Sequence, residues 1–141
     1  MDICISSFDL MDKLILSIGL LLNGCKPVLG NCEDTVIKVE DGYVVKHRES
    51  MVKICMGERG DCNIVLNTME PGVNVYRHLF KHNGVEYSYI TNGLIDHRLF
   101  TGLYTCMLYN GVDPLESFIQ TFETLLKIGE VYTGLKNILI E

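Results

Sequence analysis

Positive charge is scarce in this sequence. Its 141 residues include 12 Lys and Arg against 18 Asp and Glu, which gives a formal net charge of −6. The basic residues form no run along the chain. Nucleic acids and anionic membrane surfaces are bound through basic patches. We therefore expect neither a nucleic acid nor a membrane surface as a partner of this acidic protein.

Sequence motifs of common catalytic and metal-binding sites are also missing. The chain has no serine in a G-x-S-x-G elbow, no GxxxxGK[ST] phosphate loop and no CxxC cysteine pair. His78 and His82 are four residues apart, but in a predicted strand that spacing separates them by about 13 Å, too far for one metal ion. We therefore expect no metal and no cofactor, and an enzyme is the less favoured class of protein.

The six cysteines allow two interpretations. Cys4, Cys55 and Cys106 lie in apolar surroundings, where free cysteines behave as small buried hydrophobic residues. We expect six free cysteines in a cytoplasmic protein, because a chain of this length builds its own core without cross-links. The alternative is a secreted protein with disulfide bonds, which the even number of cysteines permits.

Residues 14–22 form an apolar run that is too short to span a bilayer. Asp9 before it and Gly24 after it are suited to begin and end a helix, which we predict here. The alternative is a lipoprotein signal, because residues 22–25 resemble a bacterial lipobox that would place a lipid anchor on Cys25. The residues before the run are acidic, whereas such signals begin with positive charge.

Alternating segments between residues 35 and 91 predict about six strands. Asp41-Gly42 and Asn83-Gly84 are signals of two-residue hairpin turns, and residues 57–61 form a longer glycine-containing turn. Short turns join antiparallel neighbours, so the predicted sheet is a meander. The predicted strands are residues 35–40, 43–48, 51–56, 62–68, 73–81 and 85–91.

The last third of the chain predicts two helices. Residues 94–109 are apolar over more than half of the helical circumference, which is typical of a helix buried on more than one side. Asp113, Pro114 and Glu116 form a capping pattern at the start of a second helix. Apolar residues then recur at helical spacing: Leu115, Phe118, Ile119, Phe122, Leu125, Leu126, Val131, Tyr132, Leu135, Ile138 and Leu139.

These elements predict one α+β domain over residues 1–141. It has an N-terminal helix, a roughly six-stranded antiparallel meander and two C-terminal helices packed on the sheet. The helices carry more apolar surface than a small sheet easily covers. Our first hypothesis is therefore a non-enzymatic protein-binding module, such as an inhibitor, adaptor or chaperone-like protein, that also forms a homo-oligomer. Aromatic residues are enriched at interfaces, and the candidates are Tyr76, Phe80, Tyr87, Tyr89, Tyr104, Tyr109, Phe118 and Phe122.

The second hypothesis is a small-molecule-binding protein or a small enzyme. A curved meander and the helix of residues 94–109 would enclose its pocket. Asp96 and His97 lie in the first turn of that helix, and His78 lies in a strand beside it. A carboxylate and an imidazole exchange protons with bound ligands, which makes these three residues weak catalytic candidates. The third hypothesis is a lipoprotein anchored at Cys25.

Overall fold

The computed structural model describes residues 1–7, 9–30, 32, 34–57, 61–69, 72 and 75–140, and for residues 130–140 it describes the backbone alone. Within this part of the chain the fold has eight strands and three helices. In order these are β1 (Asp2–Ser6), α1 (Leu10–Leu22), β2 (Lys26–Leu29), β3 (Ile37–Val39), β4 (Tyr43–His47), β5 (Ser50–Met56), β6 (Ile64–Met69), β7 (Tyr76–His82), β8 (Val85–Thr91), α2 (His97–Tyr109) and α3 (Pro114–Ile140).

The strands form one mostly antiparallel sheet in the order β2-β1-β3-β4-β5-β6-β7-β8. The predicted α+β class, the N-terminal helix and the two C-terminal helices are confirmed. The strand count of six is too low because β1 and β2 were not predicted. They pair in parallel, with Ile3 opposite Pro27, and α1 is the crossover that returns the chain to the same end of the sheet. Strands as short as these, with five and four residues, carry little alternation to detect.

The predicted meander is wrong at one connection, because β5 and β6 run parallel. Ile54 lies opposite Ile64, and Met56 lies opposite Leu66. The two strands therefore overlap for only three residues, and the connection must carry the chain back by about 7 Å before β6 begins. A short loop is long enough for that, so a short connection does not by itself impose an antiparallel pair. Residues 58–60 of this predicted turn, and residues 73–74 of a predicted strand, lie outside the described residues.

All three helices lie on one face of the sheet and enclose one core. Helix α1 packs on α2, and α2 packs on α3. Alternate residues of the strands point toward this layer, as the register of Tyr43 with Ile54 shows. The largest fully buried side chains are Tyr104, Phe100, Phe118, Phe122, Ile3, Ile5, Leu16, Leu20, Ile37, Ile54, Ile64 and Leu66.

The predicted helix caps are confirmed. Asp9 Oδ1 accepts hydrogen bonds from the backbone N–H groups of Met11 (2.8 Å) and Asp12 (3.1 Å) at the start of α1. Asp113 Oδ2 accepts from the backbone N–H of Leu115 at 3.1 Å, which caps α3 directly before Pro114. The cap at each N-terminus satisfies backbone donors that the helix itself leaves unpaired.

Two glycines allow α1 and α2 to touch backbone to backbone. A Cβ atom added at Gly19 would lie 3.0 Å from the Cα of Gly102, and one added at Gly102 would lie 2.5 Å from the carbonyl oxygen of Leu16. Neither position has room for a side chain. The Asn23 amide nitrogen also donates to the carbonyl oxygen of Leu103 at 2.9 Å. These contacts hold α1 close against α2.

The six cysteines form three disulfide bonds: Cys4–Cys32, Cys25–Cys106 and Cys55–Cys62. The Cα–Cα distances of 6.3, 5.8 and 6.1 Å suit such bonds. The expectation of free cysteines is wrong, because a buried cysteine has apolar neighbours whether its sulfur is free or bonded. The cytoplasmic assignment is also wrong, because three disulfide bonds point to an oxidising, extracellular or secreted environment. The lipid-anchor alternative also fails, because the sulfur of Cys25 is bonded to Cys106.

None of the helices that the structure describes combines the length and apolar character needed to cross a membrane.

Candidate functional site

The most unusual surface of the molecule is the side of α1 that faces away from the sheet. We call it the α1 outer face. Its six large apolar side chains are between 43% and 77% exposed, whereas Leu16 and Leu20 on the inner side of the same helix are fully buried. Single exposed apolar side chains are ordinary, but a contiguous group marks an interaction site. The α1 outer face consists of Leu10, Met11, Leu14, Ile18, Leu21 and Leu22.

The spacing within the α1 outer face is that of a helix seam. Met11, Leu14, Ile18 and Leu21 follow one another at intervals of three, four and three residues, which places them in one line along the helix. An apolar line on such a helix normally packs against another element. In the part of the chain that the structure describes, the inner side of α1 has such a cover and the outer face does not.

Helix α1 is also held rigidly. The glycine contact fixes its middle against α2, and the Cys25–Cys106 bond ties Cys25, three residues beyond the end of α1, to α2. A surface that is rigid before binding loses little conformational entropy on binding. The α1 outer face is therefore already formed before a partner binds, because its helix is held in place.

A second apolar surface lies beside α3. It is a groove with a volume of about 680 Å³ between α3 and the segment that joins β8 to α2. Leu94 and Leu126 at its rim are 67% and 49% exposed, while Phe122 at its base is buried. Beyond Gly129 the backbone continues as part of α3. The predicted apolar residues Val131, Tyr132, Leu135, Ile138 and Leu139 lie where the structure does not describe side chains.

A small cavity with a mixed polar and apolar lining separates the start of α2 from the middle of the sheet. It has a volume of about 280 Å³ and is lined by Asp12, Asp41, Tyr43 and His97 above an apolar wall that includes Ile54. The hydroxyl of Tyr43 donates to Asp12 Oδ1 at 3.4 Å. The Tyr43 and His97 rings lie 5.5 Å apart. Of the three candidates that the second hypothesis gave for a pocket beside the helix of residues 94–109, only His97 lines this cavity.

The charges around this cavity follow from burial. Burial lowers the pKa of His97, which outweighs the attraction of Asp96 and Asp12, so its imidazole is neutral at pH 7. Burial and then the Asp12 carboxylate raise the pKa of Tyr43, so its phenol keeps its proton. The cavity therefore presents carboxylates beside neutral hydrogen-bonding groups, and one of these carboxylates, Asp12, lies 4.0 Å from the Arg98 guanidinium.

Asp96, one of the weak catalytic candidates, is occupied by structural contacts. Its Oδ1 accepts from the backbone N–H groups of Arg98 (2.9 Å) and Leu99 (3.2 Å), which makes it the N-cap of α2. Its Oδ2 lies 3.3 Å from the Arg98 guanidinium. Burial acts to raise the pKa of Asp96, but these hydrogen bonds outweigh burial and lower it. The carboxylate is ionised, and its hydrogen bonds go to the first turn of α2.

His78, a second candidate, lies in a buried hydrogen-bond network. Its side chain is fully buried, and its Nδ1 accepts from the backbone N–H of Asn67 at 2.9 Å. The other nitrogen, Nε2, therefore carries the proton and donates to Thr91 Oγ1 at 2.7 Å, and Thr91 donates to the carbonyl oxygen of Gly93 at 2.8 Å. Burial lowers the pKa of His78 to about 4. Both ring nitrogens are engaged, and the network fixes the segment that lines the groove.

The aromatic interface candidates fall into two groups. Phe80, Tyr104, Phe118 and Phe122 are buried in the core, where the Phe122 ring lies 4.5 Å from that of Tyr89. Tyr76, Tyr87, Tyr89 and Tyr109 are half-buried. The sequence hypothesis placed the interface among these aromatics and missed the α1 outer face. The signal that could have found it is the width of the apolar pattern in residues 10–22, which exceeds one helical face.

Comparisons of the chain with models of protein families, with curated proteins and with solved structures found no match. Among the residues that the structure describes, no group of three or more His, Cys, Asp or Glu side chains is arranged to hold a metal ion.

Proposed function

We propose that this chain is a non-enzymatic protein-binding module that works in an oxidising environment and docks through the α1 outer face. One observation carries the proposal: six large apolar side chains stand exposed in one patch on a helix that is fixed in place by glycine contacts and a disulfide bond. The partner surface that fits such a ridge is an apolar groove on another protein.

The buried apolar area indicates how much of the binding free energy the α1 outer face supplies. Burying the exposed half of a Leu-sized side chain gives about 1 kcal/mol, or about 6 kcal/mol for the six residues together. A micromolar complex needs about 8 kcal/mol after the loss of free motion has been offset. The α1 outer face therefore supplies a substantial part of the binding energy, and a partner must also contact polar groups around its rim.

Site-specific photocrosslinking tests this function. A benzophenone amino acid replaces Ile18 in the centre of the α1 outer face, and the matched control replaces Glu123, which is exposed on α3. We expect a partner from the secreted fraction of the native host to be captured at position 18 and not at position 123. The purified partner should then bind the wild-type chain in calorimetry and lose at least about tenfold in affinity for Leu14→Gln/Ile18→Gln. Equal capture at both positions, or an unchanged affinity, would contradict the proposal.

The cavity beside His97 supports a second candidate function, the binding of a small organic cation. Asp12 and Asp41 contribute carboxylates to its lining, the neighbouring His97 is neutral, and Ile54 offers an apolar wall. A bound cation would share Asp12 with the Arg98 guanidinium, which lies 4.0 Å from Asp12 Oδ1. A volume of about 280 Å³ suits a ligand of roughly a dozen heavy atoms. A protonated amine with a short apolar body has the matching chemistry.

Tyramine and its uncharged analogue 4-ethylphenol provide the matched pair of probes for this cavity. We expect tyramine to shift the NMR signals of residues 12, 43 and 97, and 4-ethylphenol to shift them much less. His97→Ala should weaken tyramine binding while leaving the melting temperature unchanged. Equal shifts with both probes would remove the cation-binding candidate and leave the docking proposal untouched.

A further inference from the structure

Strand β8 ends the sheet with an open edge. In the part of the chain that the structure describes, β7 lies on one side of β8 and no strand lies on the other. The pairing with β7 is regular over all seven residues, from Tyr76 opposite Thr91 to His82 opposite Val85. Natural edge strands are usually protected by charged side chains, above all lysine, or by proline, a bulge or short length. The sequence VEYSYIT of β8 has one charged residue, Glu86, and no lysine, proline or bulge.

The hairpin fixes which backbone groups face outward. Asn83 and Gly84 both have positive φ, at 51° and 76°, so they form a two-residue type I′ turn. In such a hairpin the closing pair, His82 and Val85, exchanges hydrogen bonds, and the bonded pairs then alternate along the ladder. The N–H and C=O groups of the intervening residues of β8 point to the open edge. These residues are Glu86, Ser88 and Ile90.

We propose that a second copy of this chain occupies the edge, through antiparallel pairing of its β8 with the β8 described here. A twofold axis at Ser88 engages all three outward residues, because Ser88 then meets Ser88 and Glu86 meets Ile90 of the second copy. This register forms about six backbone hydrogen bonds. The two sheets join into one continuous sheet of sixteen strands.

The side chains fit this register. It places Tyr87 of one copy opposite Tyr89 of the other on the helical side of the sheet, and aromatic cross-strand pairs are stabilising. Each Glu86 lies opposite Ile90, which is 54% exposed in the single chain and would be covered by the pairing. The two Glu86 carboxylates are therefore not brought face to face, so the edge is compatible with its own copy.

The apolar groove lies next to this edge and extends the contact. Thr91 at the end of β8 lines the groove together with Leu94 and Leu126, and Tyr89 of β8 stacks on Phe122 of α3. A seven-residue strand pair alone is smaller than the roughly 800 Å² per partner of a standard interface. The exposed rim of the groove supplies additional apolar surface on the same side of the molecule.

Pairing at β8 leaves the proposed docking surface free. Helix α1 packs over β1 and β2, at the end of the sheet opposite β8. The dimer would therefore carry one α1 outer face at each end and present two docking surfaces to a partner. The dimer itself does not depend on the docking proposal, and each can fail without the other.

A charge-swap at the twofold axis tests the dimer. Ser88 is exposed on the sheet face away from the helices, so Ser88→Lys and Ser88→Glu should fold as the wild type does. In the dimer each substitution places two like charges directly opposite each other, which should raise the dimer dissociation constant at least about tenfold. Ser88→Thr is the matched neutral control and should dimerise as the wild type does.

Sedimentation equilibrium measures the mass of each variant against the 15.9 kDa of one chain. We expect a wild-type dimer, weakened self-association of Ser88→Lys and of Ser88→Glu, and recovery of a dimer when these two variants are mixed. A wild-type protein that stays a monomer at high micromolar concentration would overturn the proposal. A dimer that both charged variants leave unchanged would overturn it as well, since the contact would then lie elsewhere.

Discussion

The two ends of the helical layer are held together by different kinds of contact. At the α1 end, Gly19 and Gly102 bring two backbones into direct contact, and the Cys25–Cys106 bond joins the elements covalently. At the α3 end, aromatic rings interlock: Phe122 lies within 5.2 Å of the rings of His78, Tyr89, Phe100 and Phe118. Where α1 crosses α2, the contact depends on two residues without side chains and on a covalent bond, whereas the α3 end depends on large aromatic side chains and a neutral histidine.

This difference has a functional consequence. Because glycine contacts and a disulfide bond fix α1, the helix does not need apolar side chains on its outer face for stability. The large apolar residues there are consequently free to serve binding. At the α3 end the aromatic rings are buried in the core, and the rim of the groove and the edge of β8 remain exposed. The predictions below probe the two ends separately.

Removal of the Cys25–Cys106 bond should have the largest effect. The bond closes a loop with a sequence separation of 81 residues, whereas Cys55–Cys62 spans 7. Loop-closure entropy gives about 4 kcal/mol for the longer loop and about 2–3 kcal/mol for the shorter one. We therefore expect Cys25→Ala/Cys106→Ala to lower the free energy of unfolding in urea more than Cys55→Ala/Cys62→Ala does. The reverse order would show that the α1 end does not depend on its covalent bond.

Acid should weaken the α3 end through His78. The pKa of His78 is about 4 in the folded protein because of burial, against about 6.5 in the unfolded chain. The unfolded chain therefore binds a proton more readily, and stability that is complete above pH 6.5 is lost as the pH falls toward 4. The loss is on the order of 3 kcal/mol.

Urea unfolding between pH 7 and pH 4 measures this effect. His78→Gln should be less stable than the wild type at pH 7 and should lose less stability on acidification. His47 and His97 also have a lowered pKa and contribute to the same pH window, so the difference between the two proteins isolates His78. An identical pH dependence for both would contradict the assigned buried, neutral state of His78.

Replacing glycine by alanine should have opposite effects on the free energy of unfolding inside and outside the α1–α2 contact. Gly102→Ala places a methyl group against backbone atoms of α1 that cannot rotate away, which should lower the free energy of unfolding by about 2–3 kcal/mol. Gly129→Ala is the matched control, because a Cβ there has no described neighbour within 4 Å. That substitution should be neutral or stabilise α3 by up to about 1 kcal/mol. Equal effects at both positions would show that the α1–α2 contact is not close.

Local sequence signals predicted most of the helices and strands of this fold, but not how distant parts of the chain pair with one another. The cap at Asp113, the buried positions Phe118 and Phe122, and the hairpin at Asn83-Gly84 each follow from a few neighbouring residues, and the structure confirms them. The parallel pairing of β5 and β6 does not follow from local residues, because strand direction depends on where the chain returns. The disulfide pairs depend on which Cα atoms lie within about 7 Å, and spacing along the chain does not contain that distance.

The candidate site shows the same limit. The sequence displays the apolar run of α1, but which of its sides is covered depends on how the helix sits on the sheet. A core built around Leu16 and Leu20 leaves Leu14 and Ile18 outside. The sequence offered His97, Asp96 and His78 as candidates for one pocket, whereas the cavity that the structure shows combines His97 with Asp12 and Tyr43 from distant parts of the chain.

Urea unfolding of Leu14→Gln/Ile18→Gln tests most directly whether the α1 outer face is free of any structural role. Leu16→Gln, on the buried side of the same helix, is the matched control and should lose several kcal/mol. We expect the double variant to stay within about 0.5 kcal/mol of the wild type. A loss of more than about 2 kcal/mol in the double variant would mean that this face is packed within the folded chain, and the proposed docking surface would not exist.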